Sequence, residues 1–257
     1  MMVWALLSMC FLTAVIPAEG QTASWQKGNL QGQMFSVMSG GEVRFRSDAL
    51  SNITGLTVCM RILIEKLYYR VQLTFRNSTG GVSYTGPVTT VPHHYLRVED
   101  ETVSFERFSM MPSFEQQWPW RNRCFTWESS SGMAQLWFDG RMSIHKGVSR
   151  GQVFSGQAEL TISVFEGQVS DVYVWDSALS VKHLYCYLAL SHSFPPGSIL
   201  DWRHVQYNTS GYALLEPAYV RPFSEKPTRR RKHKRERGLR RSWKDKKERD
   251  QRSFYEQ

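Results

Sequence analysis

The fold is decided by the stretch at residues 123–142, which reads RCFTWESSSGMAQLWFDGRM. Within this stretch, Asp139-Gly140 stands between two runs in which apolar and polar residues alternate. The Asp-Gly pair accepts the positive φ angles of a tight two-residue turn and therefore predicts a β-hairpin. We expect antiparallel strands on both sides of this turn.

The same period of two residues continues outward from the hairpin, between Gly40 and Asp176. It is clearest in LTVCMRILI at 56–64, YRVQLTF at 69–75 and ELTISVF at 159–165. Alternation of this kind predicts half-buried antiparallel strands separated by polar turns.

One helix is predicted late in the chain, over residues 180–190, with Ser180 as its N-cap. Pro195-Pro196-Gly197 lies beyond it and cannot continue a helix. The residues at helical spacing are Val181, Leu184, Tyr185 and Leu188. Many strands with a single helix indicate an all-β, two-sheet sandwich with the helix laid on one sheet.

The N-terminal twenty residues carry an apolar run from Val3 to Pro17, which is too short to span a bilayer comfortably. Ala18-Glu19-Gly20 follows with small residues at the first and third positions of a cleavage motif. We interpret residues 1–20 as a signal peptide and the chain as secreted. The alternatives are an uncleaved anchor or a buried N-terminal strand. No later segment is apolar for long enough to predict a transmembrane helix.

Two further patterns are consistent with export. Sequons for N-linked glycosylation begin at Asn52, Asn77 and Asn208. Three cysteines follow the predicted signal peptide, so in an oxidising compartment two should pair and one is left over.

The basic character of the chain lies at its C-terminal end. Residues 221–257 contain 16 Lys+Arg and 6 Asp+Glu, whereas residues 21–220 contain 16 of each kind. We therefore predict one domain over 21–220, followed by a basic, disordered tail over 221–257. The tail could bind heparan sulfate or other polyanions through its charge. The alternative is a passive tail, or one removed by a protease at Arg237-Gly-Leu-Arg240.

Several of these stretches together resemble the pentraxin family. Cys124-Phe-Thr-Trp-Glu-Ser129 fits the family signature C-x-[ST]-W-x-[ST], although Asn122 stands where the family usually has a histidine. Val174-Trp175-Asp176 and Leu200-Asp201-Trp202 are similar to later strands of that family. The similarity runs in order over about residues 21–220.

The resemblance implies a jelly-roll sandwich with a Cys59–Cys124 disulfide. It also implies a homo-oligomer, a pentamer in the usual case, that recognises phospholipids or polysaccharides on microbial or damaged-cell surfaces in innate immunity. Cys186 lies within the predicted helix, and it could bridge to another subunit or remain a buried free thiol.

Pentraxins of this type bind their ligands through two calcium ions, and calcium requires about six to eight oxygen ligands. Thr79 and Gly80 stand where the family has an Asp-Asn pair. The second, acidic loop is shortened to 165–168, with Glu166 as its one carboxylate, and Asp171 falls in the next strand. We predict that the double calcium site is lost or reduced. A single residual site at Glu166 and Asp171 is the alternative.

The sequence contains none of the motifs that would indicate an enzyme. No strand carries a pair of carboxylates on one face, and the nucleophile-elbow, zinc-protease and phosphate-loop motifs are absent from the sequence. His93-His94 points its two rings to opposite faces of an extended segment, which does not suit a metal site. We predict a binding protein. The alternative to the pentraxin interpretation is a laminin-G-like adhesion protein whose basic tail binds glycosaminoglycan.

Overall fold

The computed structural model describes residues 24–64, 68–76, 80–86, 93–106, 120–189 and 193–219. These residues belong to one compact unit up to Ala218. The strands are β1 (Gln26–Gly28), β2 (Gln33–Val37), β3 (Glu42–Ile53), β4 (Gly55–Ile64), β5 (Arg70–Phe75), β6 (Gly81–Thr85), β7 (His93–Val98), β8 (Glu101–Glu106), β9 (Arg121–Glu128), β10 (Met133–Phe138), β11 (Arg141–Met142), β12 (Lys146–Gly147), β13 (Phe154–Ser163), β14 (Gly167–Trp175), β15 (Val205–Ser210) and β16 (Ala213–Pro217), with one helix, α1 (Val181–Leu188).

The strands form two antiparallel sheets that pack face to face, as the alternating pattern predicted. Sheet A has the order β1-β15-β3-β13-β5-β6-β7-β8, and sheet B has the order β11-β10-β9-β4-β14-β2-β16, with β12 also paired to β10. The fold is therefore the jelly-roll sandwich expected from the sequence. Among the described residues, no helix is long and apolar enough to cross a membrane.

The core lies between the sheets and is rich in aromatic rings. Phe35 of sheet B meets Phe45 of sheet A and Trp202 at centroid distances of 5.8 and 5.9 Å. Phe154 of sheet A likewise meets Trp127 of sheet B at 5.6 Å. Each fully buried ring of this size stabilises the fold by about 1.5–3 kcal/mol relative to exposure.

The hairpin between β10 and β11 forms where Asp139-Gly140 predicted it. Both residues have positive φ angles, 49° for Asp139 and 82° for Gly140. The Asp139 carboxylate accepts a hydrogen bond from the backbone N–H of Asn122 at 2.7 Å, which ties the turn to the start of β9.

The helix begins after Ser180, whose side chain accepts a hydrogen bond from the His183 backbone N–H, so the predicted N-cap is confirmed. The predicted apolar face is partly wrong. Leu184 is buried as expected, but Val181 and Tyr185 are about half exposed, and Tyr187 is buried in place of Tyr185. The reason is that the ring of Tyr187 packs against aromatic residues of β14 and of the segment after the helix.

Strand β4 is buried on both faces, whereas the alternation predicted a half-buried strand. Its second face is covered by the segment that joins β14 to α1. The Thr57 hydroxyl donates to the Ser177 carbonyl at 2.7 Å and accepts from the Leu179 N–H at 2.9 Å. The sequence pattern could not show this cover, because it comes from residues more than a hundred positions away.

The Cys59–Cys124 disulfide forms as the resemblance implied. It links the neighbouring strands β4 and β9 within sheet B, where the two cysteines face each other directly in the register. The disulfide therefore lies within one sheet and does not bridge the two sheets. The disulfide joins strands that already share hydrogen bonds.

Candidate functional site

The residues proposed for calcium do not come together. Glu166 lies in the turn between β13 and β14, whereas Asp171 lies four residues into β14. A strand rises about 3.3 Å per residue, so Asp171 lies about 13 Å along β14 from its first residue, whereas two oxygens that share one calcium ion lie no more than about 5 Å apart.

Asp171 is also engaged elsewhere. Its carboxylate pairs with the Arg61 guanidinium at 3.3 Å and accepts a hydrogen bond from the Ser170 hydroxyl at 3.0 Å. The Tyr187 hydroxyl of α1 donates to the Asp171 backbone carbonyl at 2.9 Å. These contacts place Asp171 on the side of sheet B that carries the helix, where it stabilises the packing of α1.

The first loop of the family's calcium site falls partly outside the described residues, because Thr79 is not among them. Gly80 is described, and the Glu99 carboxylate lies so close to its Cα that a methyl group there would collide with the carboxylate. Burial, and then neighbouring Asp100, raises the pKa of Glu99 above its usual range. From sequence, the run Glu99-Asp100-Glu101 could attract a cation but is better interpreted as a solvated turn; only the fold brings Glu99 next to Gly80.

The donor set does not fit the family's pair of calcium ions. Within the ranges that the structure describes, no group of three or more His, Cys, Asp or Glu side chains converges on a point that could hold a metal. The alternative of a single residual site at Glu166 and Asp171 is not supported by their placement.

The sequons have different surroundings. Asn52 is exposed and has a φ angle of 55°, a conformation that asparagine tolerates well. Asn208 is only 8% exposed, and its amide nitrogen donates to the Ser24 carbonyl at 3.3 Å. This burial disfavours a glycan at Asn208, while Asn77 lies outside the described residues.

The paired histidines do point to opposite faces, as expected. His93 is half-buried on the outer side of β7, and His94 is buried in the sandwich. A ring nitrogen of His94 shares a hydrogen bond of 2.7 Å with the Tyr84 hydroxyl, and its ring lies 4.4 Å from that of Phe138. These contacts make His94 a core residue.

Cys186 is a half-buried free thiol on α1. Both interpretations of this residue, a bridge to another subunit and a free thiol, therefore stay open as predictions.

A cleft of about 560 Å³ opens beside the β13–β14 turn, where the family's acidic loop would lie. Its walls combine hydroxyl groups with the aromatic residues Tyr68 and Phe165 and with both signs of charge. The residues that supply these groups are Ser39, Glu42, Arg44, Tyr68, Ser163, Glu166 and Ser210. A hydrogen bond to Glu42 raises the pKa of Arg44 above its usual range, so this guanidinium is firmly charged.

The cleft adjoins the outward face of sheet A, which we call the open face. Strands β13, β5, β6 and β7 of this sheet alternate strictly, and their outward side chains are polar. The register lines up one row of side chains across six strands, which we call the middle row. It consists of Arg44, Thr161, Gln72, Ser83, Arg97 and Thr102.

Two further rows flank the middle row on the open face. One contains Arg46, Glu159 and Thr74, and the other contains Ser163, Arg70, Thr85, Tyr95 and Ser104. The Arg46 guanidinium lies 4.3 Å from the centre of the Trp25 ring and donates to the Gln206 side chain at 3.0 Å. The face is therefore polar, with more guanidinium than carboxylate groups.

A jelly-roll sandwich with one helix laid on one sheet is the fold that the pentraxin resemblance implied. The Pentaxin family model matches residues 50–164 and 153–217, which together make up more than half of the chain. This chain belongs to the pentaxin family.

Curated relatives are similar at moderate identity. The serum amyloid P-component of Rattus norvegicus is 30% identical over 109 residues, which cover 37% of this chain and 46% of that protein. The C-reactive protein of Sus scrofa is 26% identical over 194 residues, which cover 64% of this chain and 77% of that protein. The chain thus spans about half the length of the serum amyloid P-components that it matches.

Solved structures show the same fold. A heptameric SAP-like pentraxin from Limulus polyphemus superposes with a TM-score of 0.60 at 18% identity, covering 74% of this chain and 97% of that one. The extracellular region of zebrafish Gpr126/Adgrg6 has a TM-score of 0.52 at 18% identity, covering 70% of this chain and 26% of that one.

Proposed function

We propose that this chain is a secreted, homo-oligomeric recognition protein of innate immunity that binds its targets without the paired calcium ions of its family. Family membership supports a binding role over a catalytic one. The ligand class that the family relationship favours is a phospholipid or polysaccharide of a microbial or damaged-cell surface.

The proposal that this chain binds its targets without calcium rests on the short turn between β13 and β14. Only 164–166 separate the two strands, and Glu166 is the one carboxylate in that turn. So few groups supply far fewer oxygens than the six to eight or so that each of two ions needs. Binding must then rest on the protein's own side chains.

Isothermal titration of the full-length protein with calcium tests this proposal. We expect no tight calcium site, and a Glu166→Gln variant should give the same titration as the wild type. Two tight sites per subunit would overturn the proposal.

Secretion and assembly are supported by independent features. The apolar N-terminal run, the exposed Asn52 sequon and the Cys59–Cys124 disulfide all suit an extracellular protein. The heptameric SAP-like pentraxin supports a homo-oligomer for this chain. The resemblance implies five subunits, so a pentamer is the size we expect. Sedimentation velocity of the secreted protein measures the assembly, and a monomer would contradict it.

A second function is favoured by the density of charge at 221–257. With 16 Lys+Arg against 6 Asp+Glu, this segment would bind heparan sulfate or another polyanion. Heparin chromatography of the full chain against a chain ending at residue 220 tests it. Equal elution would show that the tail does not contribute.

A further inference from the structure

Exposed apolar side chains collect at the two edges of sheet B. Among the described residues, most of the large apolar side chains that are exposed to water lie at one of these edges. The first group, which we call the β16 patch, consists of Met38, Tyr212 and Leu214. The second group, which we call the β10 patch, consists of Met133, Met142, Ile144 and Tyr185. Clustered exposure of this kind marks a surface that binds a partner.

The β16 patch lies on the outward side of sheet B, which is the side that carries α1. Leu214 pairs with Ser36, whose two neighbours on β2 face the core, so Leu214 faces outward. Two residues further along β2, the Met38 N–H donates to the Tyr212 carbonyl at 3.0 Å. This hydrogen bond brings Met38 and Tyr212 together at the end of the strand pair.

The β10 patch lies on the same side of sheet B, at the opposite edge. Met142 pairs with Trp137, whose ring contacts the Tyr185 ring of α1 at 5.8 Å, so Met142 faces the helix side. Met133 lies four residues before Trp137 on β10 and therefore faces the same way. Ile144, which is 70% exposed, lies between β11 and β12 at the free edge of the sheet.

The two patches are too far apart to cover each other within one subunit. Six inter-strand steps separate β11 from β16, which is about 29 Å at about 4.8 Å per step. A second copy of this chain can cover both, because the β16 patch of one copy can meet the β10 patch of the next. Pairing between two β16 patches would leave every β10 patch in water. Contacts between unlike patches repeat from copy to copy and can close into a ring.

The rims of the two patches carry opposite charges. Glu216 stands two residues after Leu214 on the same side of β16, whereas the exposed Arg141 directly precedes Met142. Rim charges of this kind orient two partners more than they strengthen the contact between them. They favour contact between unlike patches over contact between like ones.

Both patches contain exposed methionines. Met38 and Met142 are each 54% exposed, and Met133 is 46% exposed. Hydrogen peroxide can transfer an oxygen atom to such a thioether sulfur: the O–O bond breaks, the sulfur is oxidised to the sulfoxide and the peroxide is reduced to water. The sulfoxide is polar, so it disrupts an apolar contact that the thioether would stabilise.

We propose that the β16 patch of one subunit binds the β10 patch of the next, and that oxidation of Met38, Met133 and Met142 in the free subunit prevents this contact. The inference rests on the homo-oligomeric assembly proposed above and assigns its contact surface and its control by oxidation. Assembly covers the three methionines, so the free subunit is the form that is sensitive to the oxidant.

Sedimentation velocity of the full-length secreted protein tests the contact. L214D places a charge in the β16 patch, and I144D places one in the β10 patch. The matched control V153D places the same charge on another exposed apolar residue, which lies outside both patches. We expect L214D and I144D to sediment as monomers and V153D to assemble like the wild type. Circular dichroism shows whether each variant folds.

Reassembly after oxidation tests the role of the methionines. Subunits dissociated by dilution are treated with hydrogen peroxide, the excess is removed with catalase, and the protein is concentrated again. We expect oxidised wild type to associate at least about tenfold more weakly, because polar sulfoxides replace apolar groups in the contact. Peptide mass spectrometry identifies the methionines that gained oxygen.

Two variants separate the patch methionines from the others. M38L/M133L/M142L keeps apolar side chains of similar volume that a peroxide cannot oxidise, so it should reassemble fully after the same treatment. The control M34L/M60L changes two buried methionines and leaves both patches oxidisable. It should lose association to the same extent as the wild type.

Assembly of L214D and I144D like the wild type would overturn the contact and leave the proposed homo-oligomer in place. A wild type that is monomeric before any treatment would instead refute the homo-oligomer, and the contact with it. Equal reassembly of oxidised wild type and M38L/M133L/M142L would overturn the control by oxidation. Binding to phosphatidylcholine vesicles that L214D abolishes, with assembly unchanged, would assign the β16 patch to a membrane and overturn the contact as well.

Discussion

Cys59 and Cys124 stand directly opposite each other on β4 and β9, and their Cα atoms lie 4.1 Å apart. The close approach is typical of the non-hydrogen-bonded pairs of an antiparallel ladder, in which side chains come nearest. The disulfide therefore closes a loop of 65 residues without crossing the core.

Removing this disulfide should destabilise the protein strongly. A loop of this length constrains the unfolded chain by about 4 kcal/mol in the chain-entropy model, so C59S/C124S should lose free energy of unfolding of that order. Urea unfolding measures the change. The control Cys186→Ser removes a free thiol and should change the unfolding free energy by less than about 1 kcal/mol. Similar losses in both variants would contradict the prediction.

Asp171 should matter for stability and not for calcium. Asp171→Ala leaves the Arg61 guanidinium, whose side chain is only 15% exposed, without its carboxylate, and should cost about 2 kcal/mol. Thermal unfolding in calcium and in EDTA provides the measurement. The loss should be the same in both buffers, and a loss confined to calcium would restore Asp171 as a metal ligand.

The β10–β11 hairpin should depend on the side chain of Asp139. Its carboxylate pairs with Arg123 at 3.3 Å, and both side chains are largely buried. Asp139→Ala should cost about 3 kcal/mol, because it leaves a buried charge unpaired. Asp139→Asn keeps an acceptor for the Asn122 N–H and tolerates the positive φ angle, so it should cost less. Equal losses by chemical denaturation would contradict this prediction, because they would show that the retained acceptor contributes nothing and that the charge of the carboxylate carries the whole effect.

The ion pair between Asp201 and Arg203 should influence acid stability. Burial alone would raise the pKa of Asp201, but hydrogen bonds from the Arg203 side chain and backbone lower it below its usual value of 3.8. Because the pKa of Asp201 is lower in the folded protein than in the unfolded chain, its ionised carboxylate stabilises the fold at any pH above the usual value. This stabilisation is lost as the pH falls through the pKa of the folded protein.

Arg203→Gln removes the charge and the side-chain hydrogen bonds that lower the pKa, while the backbone hydrogen bonds and the burial remain. The pKa of Asp201 should rise, and acid unfolding should begin at a higher pH than in the wild type. NMR titration of the Asp201 carboxyl and the acid-unfolding midpoint measure the two effects. The control Arg141→Gln should leave both unchanged, and an unmoved Asp201 titration would refute the assignment.

The sequons should differ in occupancy. We expect a glycan at exposed Asn52, so Asn52→Gln should lower the mass of the secreted protein by one glycan. Asn208→Gln should leave the mass unchanged, because the buried amide already donates to the Ser24 carbonyl. Mass spectrometry of tryptic glycopeptides decides this, and a modified Asn208 would show that glycosylation precedes burial.

Much of this protein was determined by local sequence. The alternation within each strand sets its inward face, Asp139-Gly140 sets a turn, and Ser180 sets the start of the helix, since each of these signals acts over a few neighbouring residues. The signature at Cys124 to Ser129 indicated the family and its disulfide. Sequence also indicated the shortened loop at Glu166, which is the main argument against a pair of calcium ions.

Other features were decided only by the tertiary structure. The second buried face of β4, the burial of Asn208 and the ion pair of Asp171 with Arg61 depend on contacts between residues far apart in the chain. The middle row of the open face likewise exists only because strand register places Arg44 and Arg97 in one line. Register is set by non-local pairing of whole strands, and a shift of one residue would turn every side chain of a strand to the opposite face.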